Sequence, residues 1–121
     1  MALLEVEQDV LDMAVVVSAD GEVDSGTVDI LITHLDAALQ AASDHPSRVL
    51  VIELAKVTYF GSAGLNAVLG CYERGVSDGV IVRVVAQNLE VIRPIEVTKL
   101  DGVLRPYKTV SDAVEGTDED G

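Results

Sequence analysis

The chain has 121 residues, of which 49% are hydrophobic, 24% charged and 3% aromatic, and its formal net charge is −13. This length fits a single domain whose core is built from Val, Leu, Ile and Ala. The negative charge argues against direct binding to nucleic acid or to an anionic membrane surface. The chain has no apolar stretch of about 20 residues, and its start is acidic where a secretory signal would be basic, so we expect a cytoplasmic protein without membrane insertion.

The hydrophobic period changes several times along the first half of the chain. Residues 4–7 alternate as in an edge strand, and the run at 13–17 is typical of a more buried strand, so the two are predicted to pair as a hairpin. Ser25 is a candidate N-cap for a helix whose apolar residues recur at helical spacing as far as Ala42. Residues 49–54 are almost continuously apolar, which indicates a central strand covered on both faces.

A second helix is predicted to begin after the glycine-rich stretch at 61–64. Its apolar side is predicted to consist of residues at spacings of three and four, with two glycines marking the end of the helix. The apolar residues are Leu65, Val68, Leu69, Tyr72 and Val76, and the glycines are Gly75 and Gly79. Residues 80–86 are predicted to form another buried strand.

The last third of the chain has weaker patterns. Residues 88–100 are helical in character but include Pro94, so this helix is predicted either to start late or to kink at the proline. Residues 103–107 fit a short last strand. Thr109 or Ser111 is a candidate cap for a short terminal helix.

The order of these elements predicts an α/β fold. Strand–helix–strand units cross over with a right-handed sense and place helices against the sheet. We therefore expect a mixed sheet of four to five strands with about four helices, in one domain over residues 1–116. Residues 117–121 are expected to form a disordered acidic tail.

The stretch YFGSAGLNAV at 59–68 lies where the central strand ends and the second helix begins. Functional groups are often found at such strand ends. By its chemistry alone, Ser62 is predicted to be the N-cap of the helix, and Gly61 and Gly64 to shape the turn around it.

Catalytic and metal-binding motifs are not recognisable. A phosphate-binding loop would need a lysine after Gly64, and a nucleophile elbow would need glycine at Phe60. His34 and His45 are isolated, so satisfied surface roles are expected for both, and Cys71 is expected to be a small, partly buried hydrophobic residue. We therefore predict neither an enzyme nor a bound cofactor.

Several segments together resemble STAS domains, the family of bacterial anti-sigma factor antagonists. They are Gly-Glu-Val-Asp at 21–24, the strand at 49–54, Val-Thr-Tyr-Phe-Gly-Ser-Ala-Gly-Leu at 57–65 and the helix at 93–100. In the family, an Asp-Ser-Ser-Gly-Leu or Asp-Ser-Thr-Gly-Leu motif opens the second helix, and an anti-sigma kinase phosphorylates its first serine. Ser62 stands at that serine, but Gly61 replaces the aspartate and Ala63 the second hydroxyl residue. Lys99 stands where the family often has glycine.

The resemblance implies an anti-sigma factor antagonist, which binds an anti-sigma factor of the histidine-kinase-like ATPase class and releases its sigma factor. It implies phosphorylation of Ser62 as the off switch, no catalytic residue in this chain, and a monomer or weak dimer. The partner-binding residues it implies are Glu22, Asp24, Gly61, Ser62, Ala63, Gly64 and Asn66.

An alternative function on the same fold is an accessory subunit of a lipid or anion transporter, or of a sensory scaffold. A transporter subunit would need a stable, largely apolar docking face. A phosphorylation switch needs Ser62 and a transient, more polar surface.

Overall fold

A mixed β-sheet with helices on both faces forms the architecture of residues 3–116, which are the residues described by the computed structural model. Its elements are β1 (Leu4–Val10), β2 (Val15–Val23), α1 (Val28–Ser43), β3 (Val49–Phe60), α2 (Ser62–Asp78), β4 (Ile81–Val85), α3 (Leu89–Val97) and α4 (Val110–Glu115). The strands lie in the order β1-β2-β3-β4. The predicted hairpin is confirmed, because β1 pairs antiparallel with β2, while β2, β3 and β4 are mutually parallel.

The two faces of the sheet bury different sets of side chains because neighbouring residues of a strand point in opposite directions. Val15 and Val17 of β2 face the large core formed with α1, α2 and α3, whereas Val16 faces a smaller cluster under α4. In β3, Leu50 and Ile52 join the large core and Val51 joins the smaller one. The double coverage predicted for residues 49–54 is therefore confirmed.

The start of α1 differs from the prediction. The N-cap is Thr27 and not the predicted Ser25, and the helix begins at Val28. An Oδ1 atom of Asp24 accepts hydrogen bonds from the backbone N–H groups of Gly26 and Thr27, at 2.8 and 3.0 Å. Ser25 and Gly26 belong to this turn, so the helix starts later in the chain than predicted. The predicted apolar side of α1 is confirmed by its buried residues, which are Leu31, Leu35, Ala38, Leu39 and Ala42.

The buried side of α2 also differs in part from the prediction. The helix continues through Gly75 to Asp78 and ends at Gly79, whose φ of 75° is left-handed. Gly75 and Cys71 face the core, while Val76 is 65% exposed. A Cβ on Gly75 would lie 2.6 Å from Val82 Cγ2, so α2 contacts β4 through a residue that has no side chain.

In the last third of the described chain, α3 starts at Leu89 and contains Pro94, so of the two predicted alternatives the late start does not occur. Lys99 follows α3 with a φ of 62°, the left-handed conformation for which glycine is best suited. The predicted strand at 103–107 is reduced to one parallel bridge between Val85 and Tyr107.

The terminal helix α4 follows the prediction at one of its two candidate caps. Thr109 is the N-cap, and its hydroxyl accepts a hydrogen bond from the backbone N–H of Asp112 at 3.1 Å. The predicted acidic tail at 117–121 lies outside the described residues. Among the helices of residues 3–116, none combines the length and the apolar character needed to cross a bilayer.

Candidate functional site

The predicted site residues meet where β2 and β3 end. Val23 and Phe60 are the last paired residues of these two parallel strands. Directly beyond them, the backbone N–H of Gly61 donates to the carbonyl oxygen of Val23 at 3.0 Å. The loop that follows β2 is thereby held beside the turn that opens α2, and it carries Asp24.

The loop after β2 owes its shape to Asp24 and Thr27. Besides the two bonds to Asp24 Oδ1, the Thr27 hydroxyl donates to the carbonyl oxygen of Glu22 at 2.8 Å and accepts from the Asp24 N–H at 3.0 Å. Thr27 is buried and Asp24 is partly buried, so both side chains are occupied in holding the loop. The Glu22 carboxylate is exposed and makes no hydrogen bond within residues 3–116. Glu22, the last but one residue of β2, is therefore an exposed carboxylate beside this loop that takes no part in holding it.

Ser62 is the first residue of α2 and not its N-cap, which corrects the prediction. Gly61 is the N-cap, with extended backbone at φ −84° and ψ −178°, and its carbonyl accepts from the Leu65 N–H at 3.1 Å. Because Gly61 has no side chain, no side-chain hydrogen bond caps the first turn. The Ser62 side chain is exposed and has no hydrogen-bond partner within residues 3–116. The hydroxyl is accessible, beside a helix end that favours negative charge.

Tyr59 occupies the space next to Gly61. A Cβ built on Gly61 would lie 3.1 Å from both Cε2 and Oη of Tyr59, so the aromatic ring lies against the glycine. Tyr59 is 52% exposed. Its ring therefore stands at the surface directly before Ser62, where periodicity alone gives it no special role.

We expect Gly61→Asp to raise the free energy of unfolding by about 0.5 kcal/mol, because the carboxylate can accept from an N–H of the first turn and lies at the positive end of α2. The half-exposed Tyr59 ring can swing aside to make room. Urea denaturation measures the change. Gly61→Ala is the matched control, since it adds a Cβ without an acceptor, and equal stability of the two variants would contradict the capping argument.

Gly64, Ala63 and Asn66 differ in exposure. Gly64 is buried, and a Cβ there would lie 2.6 Å from Val23 Cγ1 and 3.0 Å from Phe60 Cε1, so this glycine lets α2 rest on the strand ends. Ala63 is partly buried, whereas Asn66 is exposed. Asn66 stands four residues after Ser62 and therefore shares its side of the helix. The exposed part of the predicted set is thus Glu22, Ser62 and Asn66.

Both histidines bind backbone groups, as expected for satisfied surface residues. The Nδ1 of His34 lies 2.9 Å from the carbonyl oxygen of Ile30 in its own helix. The Nδ1 of His45 accepts from the Ser47 N–H at 3.1 Å, and its Nε2 lies 2.8 Å from the carbonyl oxygen of Leu11. These contacts join the histidines to α1, Leu11 and Ser47, and none of them is with the Ser62 turn.

Cys71 is fully buried in the large core, deeper than expected. Burial raises the pKa of its thiol from 9.0 to about 11; Arg74 works against this rise and Asp36 adds to it. A buried, protonated thiol behaves as a small hydrophobic side chain. Cys71 therefore belongs to the core.

We expect the Cys71 thiol of the folded protein to react with Ellman's reagent only as fast as the protein unfolds.

Because the folded pKa of Cys71 is raised from 9.0 to about 11, the unfolded chain loses the thiol proton first, and the free energy of unfolding falls as pH rises through that window. Urea denaturation at about pH 8 and about pH 10.5 measures the fall. Cys71→Ala should lose less stability than the native protein over the same interval, and an equal loss would contradict the assignment.

Asn88 is a site-forming residue that the sequence patterns did not reveal. Pairing of β3 with β4 ends at Glu53 and Val85. Beyond this point, the Asn88 side-chain amide donates to the carbonyl oxygens of Leu54 and Val57, at 3.1 and 2.7 Å. Asn88 thus holds the part of β3 that leads to the Ser62 turn. An asparagine before a helix would ordinarily be interpreted as an N-cap, which hides this role.

Comparison with known proteins adds to this geometry. The model of the STAS domain family matches residues 3–113. No curated protein sequence matches the chain significantly. An anti-sigma factor antagonist from Mycobacterium paratuberculosis has a similar structure, with a TM-score of 0.83, 30% sequence identity, and coverage of 94% of this chain and 93% of that one.

Two further solved structures share the fold at lower identity. A STAS domain protein from Planctomyces limnophilus has a TM-score of 0.74 at 18% identity, covering 92% of this chain and 95% of that one. The phosphorylated form of the Bacillus cell fate determinant SpoIIAA has a TM-score of 0.65 at 15% identity, covering 93% of this chain and 97% of that one. Since the family model spans nearly all of the described residues and the mycobacterial structure matches along almost its whole length, this chain belongs to the STAS domain family.

Proposed function

We propose that this protein is an anti-sigma factor antagonist. It binds an anti-sigma factor of the histidine-kinase-like ATPase class, so that the sigma factor is released, and phosphorylation of Ser62 ends the binding. The observation that carries the proposal is the exposed, unbonded Ser62 hydroxyl at the first residue of α2. The 30% identity to a mycobacterial anti-sigma factor antagonist supports it.

The docking surface in this proposal consists of Glu22, the turn at 61–64 and Asn66. The hydrogen bond from Gly61 to Val23 and the Asp24 turn hold these parts in place before a partner arrives. A surface that is already ordered loses little conformational entropy on binding. The partner supplies ATP and the catalytic groups for phosphoryl transfer, and this chain supplies the acceptor hydroxyl.

Phosphorylation acts in opposite directions on the fold and on the interface. A phosphoserine carries a charge of about −1.5 to −2. At the N-terminus of α2, which lacks a capping side chain, this charge is stabilising for the domain. In the interface, the phosphate and the nearby exposed Glu22 carboxylate must both give up water against a surface shaped for a neutral hydroxyl. Binding is therefore lost while the fold remains.

The test is capture of the tagged protein from a lysate of its source cells, with mass spectrometry of the partner and of Ser62. Recovery of a kinase-type anti-sigma factor, and phosphate on Ser62, would support the proposal. Ser77, near the other end of α2 and also exposed, is the matched serine that should stay unmodified. Recovery of transporter ATPase subunits in place of an anti-sigma factor would favour the accessory-subunit alternative.

A further inference from the structure

A groove of about 570 Å³ lies beside the Ser62 turn, between the end of β3 and helix α3. Tyr59 and Phe60 line it on the β3 side, and Leu89, Arg93 and Val97 line it on the α3 side. The site described above does not include any α3 residue, so this groove is not explained by the Ser62 turn alone.

Helix α3 exposes two apolar side chains on its outer side, besides the charged ones. Val91 and Ile95 are buried in the core, while Leu89 and Val97 are 61% and 73% exposed. A helix at the surface of a domain ordinarily turns polar side chains outward. Exposed apolar residues that line one groove mark an interaction surface.

Tyr59 joins this groove to the Ser62 turn. The ring lines the groove, and it also lies against Gly61, the residue before Ser62. A partner that covers the Ser62 hydroxyl therefore also meets the half-exposed Tyr59 ring, which is part of the groove wall. Tyrosine is enriched among the residues that dominate binding energy in protein interfaces.

Arg93 gives the groove a charge preference. Its guanidinium is exposed and makes no ion pair or hydrogen bond within residues 3–116, although Glu90 lines the same groove. The chain has 8 Lys and Arg residues against 21 Asp and Glu. An unpaired cation on such an acidic protein favours a carboxylate in the segment that binds here.

We infer that this groove is the second half of the docking surface, and that the anti-sigma factor covering Ser62 inserts into it an apolar segment that carries a carboxylate for Arg93. The inference rests on the proposed function. It rests also on the continuity through Tyr59, on the exposed Leu89 and Val97, and on the unpaired Arg93.

The experiment uses purified histidine-kinase-like anti-sigma factors from the same genome. Each is titrated in a calorimeter with the native protein and with its Val97→Ser and Arg93→Glu variants. Each variant should raise the Kd by about tenfold or more. Val76→Ser is the matched control, because Val76 is 65% exposed on α2 and does not line the groove, and its Kd should stay within about twofold of the native value. Circular dichroism establishes that all three remain folded, as expected for exposed positions.

The outcomes separate the groove from the proposed function. Native-like Kd values for both groove variants, with weaker binding of Ser62→Glu, would overturn the groove and leave the proposed function standing. Failure of the native protein to bind any of these anti-sigma factors would overturn both. Concentration-dependent dimerisation that Val97→Ser abolishes, seen by analytical ultracentrifugation, would assign the groove to a second copy of this chain and also overturn the inference.

Discussion

Ser62→Glu should weaken binding to the anti-sigma factor proposed as the partner by about a hundredfold or more, which corresponds to about 2.7 kcal/mol. The reason is desolvation: the carboxylate enters the part of the docking surface around the turn at 61–64, where Glu22 is already exposed and where the turn itself contains no Lys or Arg. The domain itself should stay folded with an unchanged or slightly higher melting temperature, because a negative charge at the first residue of α2 is favourable. Titration calorimetry measures the affinity, and thermal denaturation measures the fold.

Ser62→Gln is the control that separates charge from size. Glutamine has nearly the shape of glutamate but no charge, so it should keep most of the affinity if desolvation of a charge is the cause. Ser77→Glu, which adds the same charge to an exposed position near the other end of α2, should bind like the native protein. Equal losses for Ser62→Glu and Ser62→Gln would show that steric fit, and not charge, governs the turn. Native affinity for Ser62→Glu would contradict the proposed switch.

The second large effect concerns stability. Gly75→Ala should lower the free energy of unfolding by about 1–3 kcal/mol. The new Cβ would lie 2.6 Å from Val82 Cγ2 and 2.9 Å from the carbonyl oxygen of Val80, so α2 must move away from β4. Since the oxygen belongs to the backbone, a change of side-chain rotamer cannot relieve the contact. Urea denaturation measures the loss.

Gly70→Ala is the matched control for Gly75→Ala. It makes the same chemical change in the same helix, but a Cβ on Gly70 meets no atom within 4 Å. Alanine has the higher helix propensity, so this variant should gain about 0.5–1 kcal/mol. Stabilisation by both substitutions would mean that α2 lies farther from β4 than the structure shows.

Several parts of the fold were predictable because they depend on local patterns. The β1–β2 hairpin and the doubly covered β3 follow from apolar alternation and from a continuous apolar run, which depend only on neighbouring residues. The buried side of α1 follows from spacing. The Ser62 motif was recognisable because its residues are consecutive in the chain.

Other parts were not predictable because they depend on contacts between distant segments. Gly75 was interpreted as a helix end, but it is the point where α2 touches β4, and a pattern of apolar side chains does not register a residue without one. Gly61, the N-cap of α2, is held by a hydrogen bond from its N–H to the carbonyl oxygen of Val23, a residue of another strand. The support of β3 by Asn88 likewise joins residues more than 30 positions apart.

The amino-acid sequence by itself thus predicts most strands and helices and the Ser62 motif, because hydrophobic period and motif spacing act over a few residues. The surface around that serine exists only in the folded chain. Tyr59 is brought against Gly61 and beside Leu89, Arg93 and Val97 by the parallel packing of β3 and the position of α3. Such a surface depends on which side chains remain uncovered once the core is full, and that depends on the packing of all the elements together.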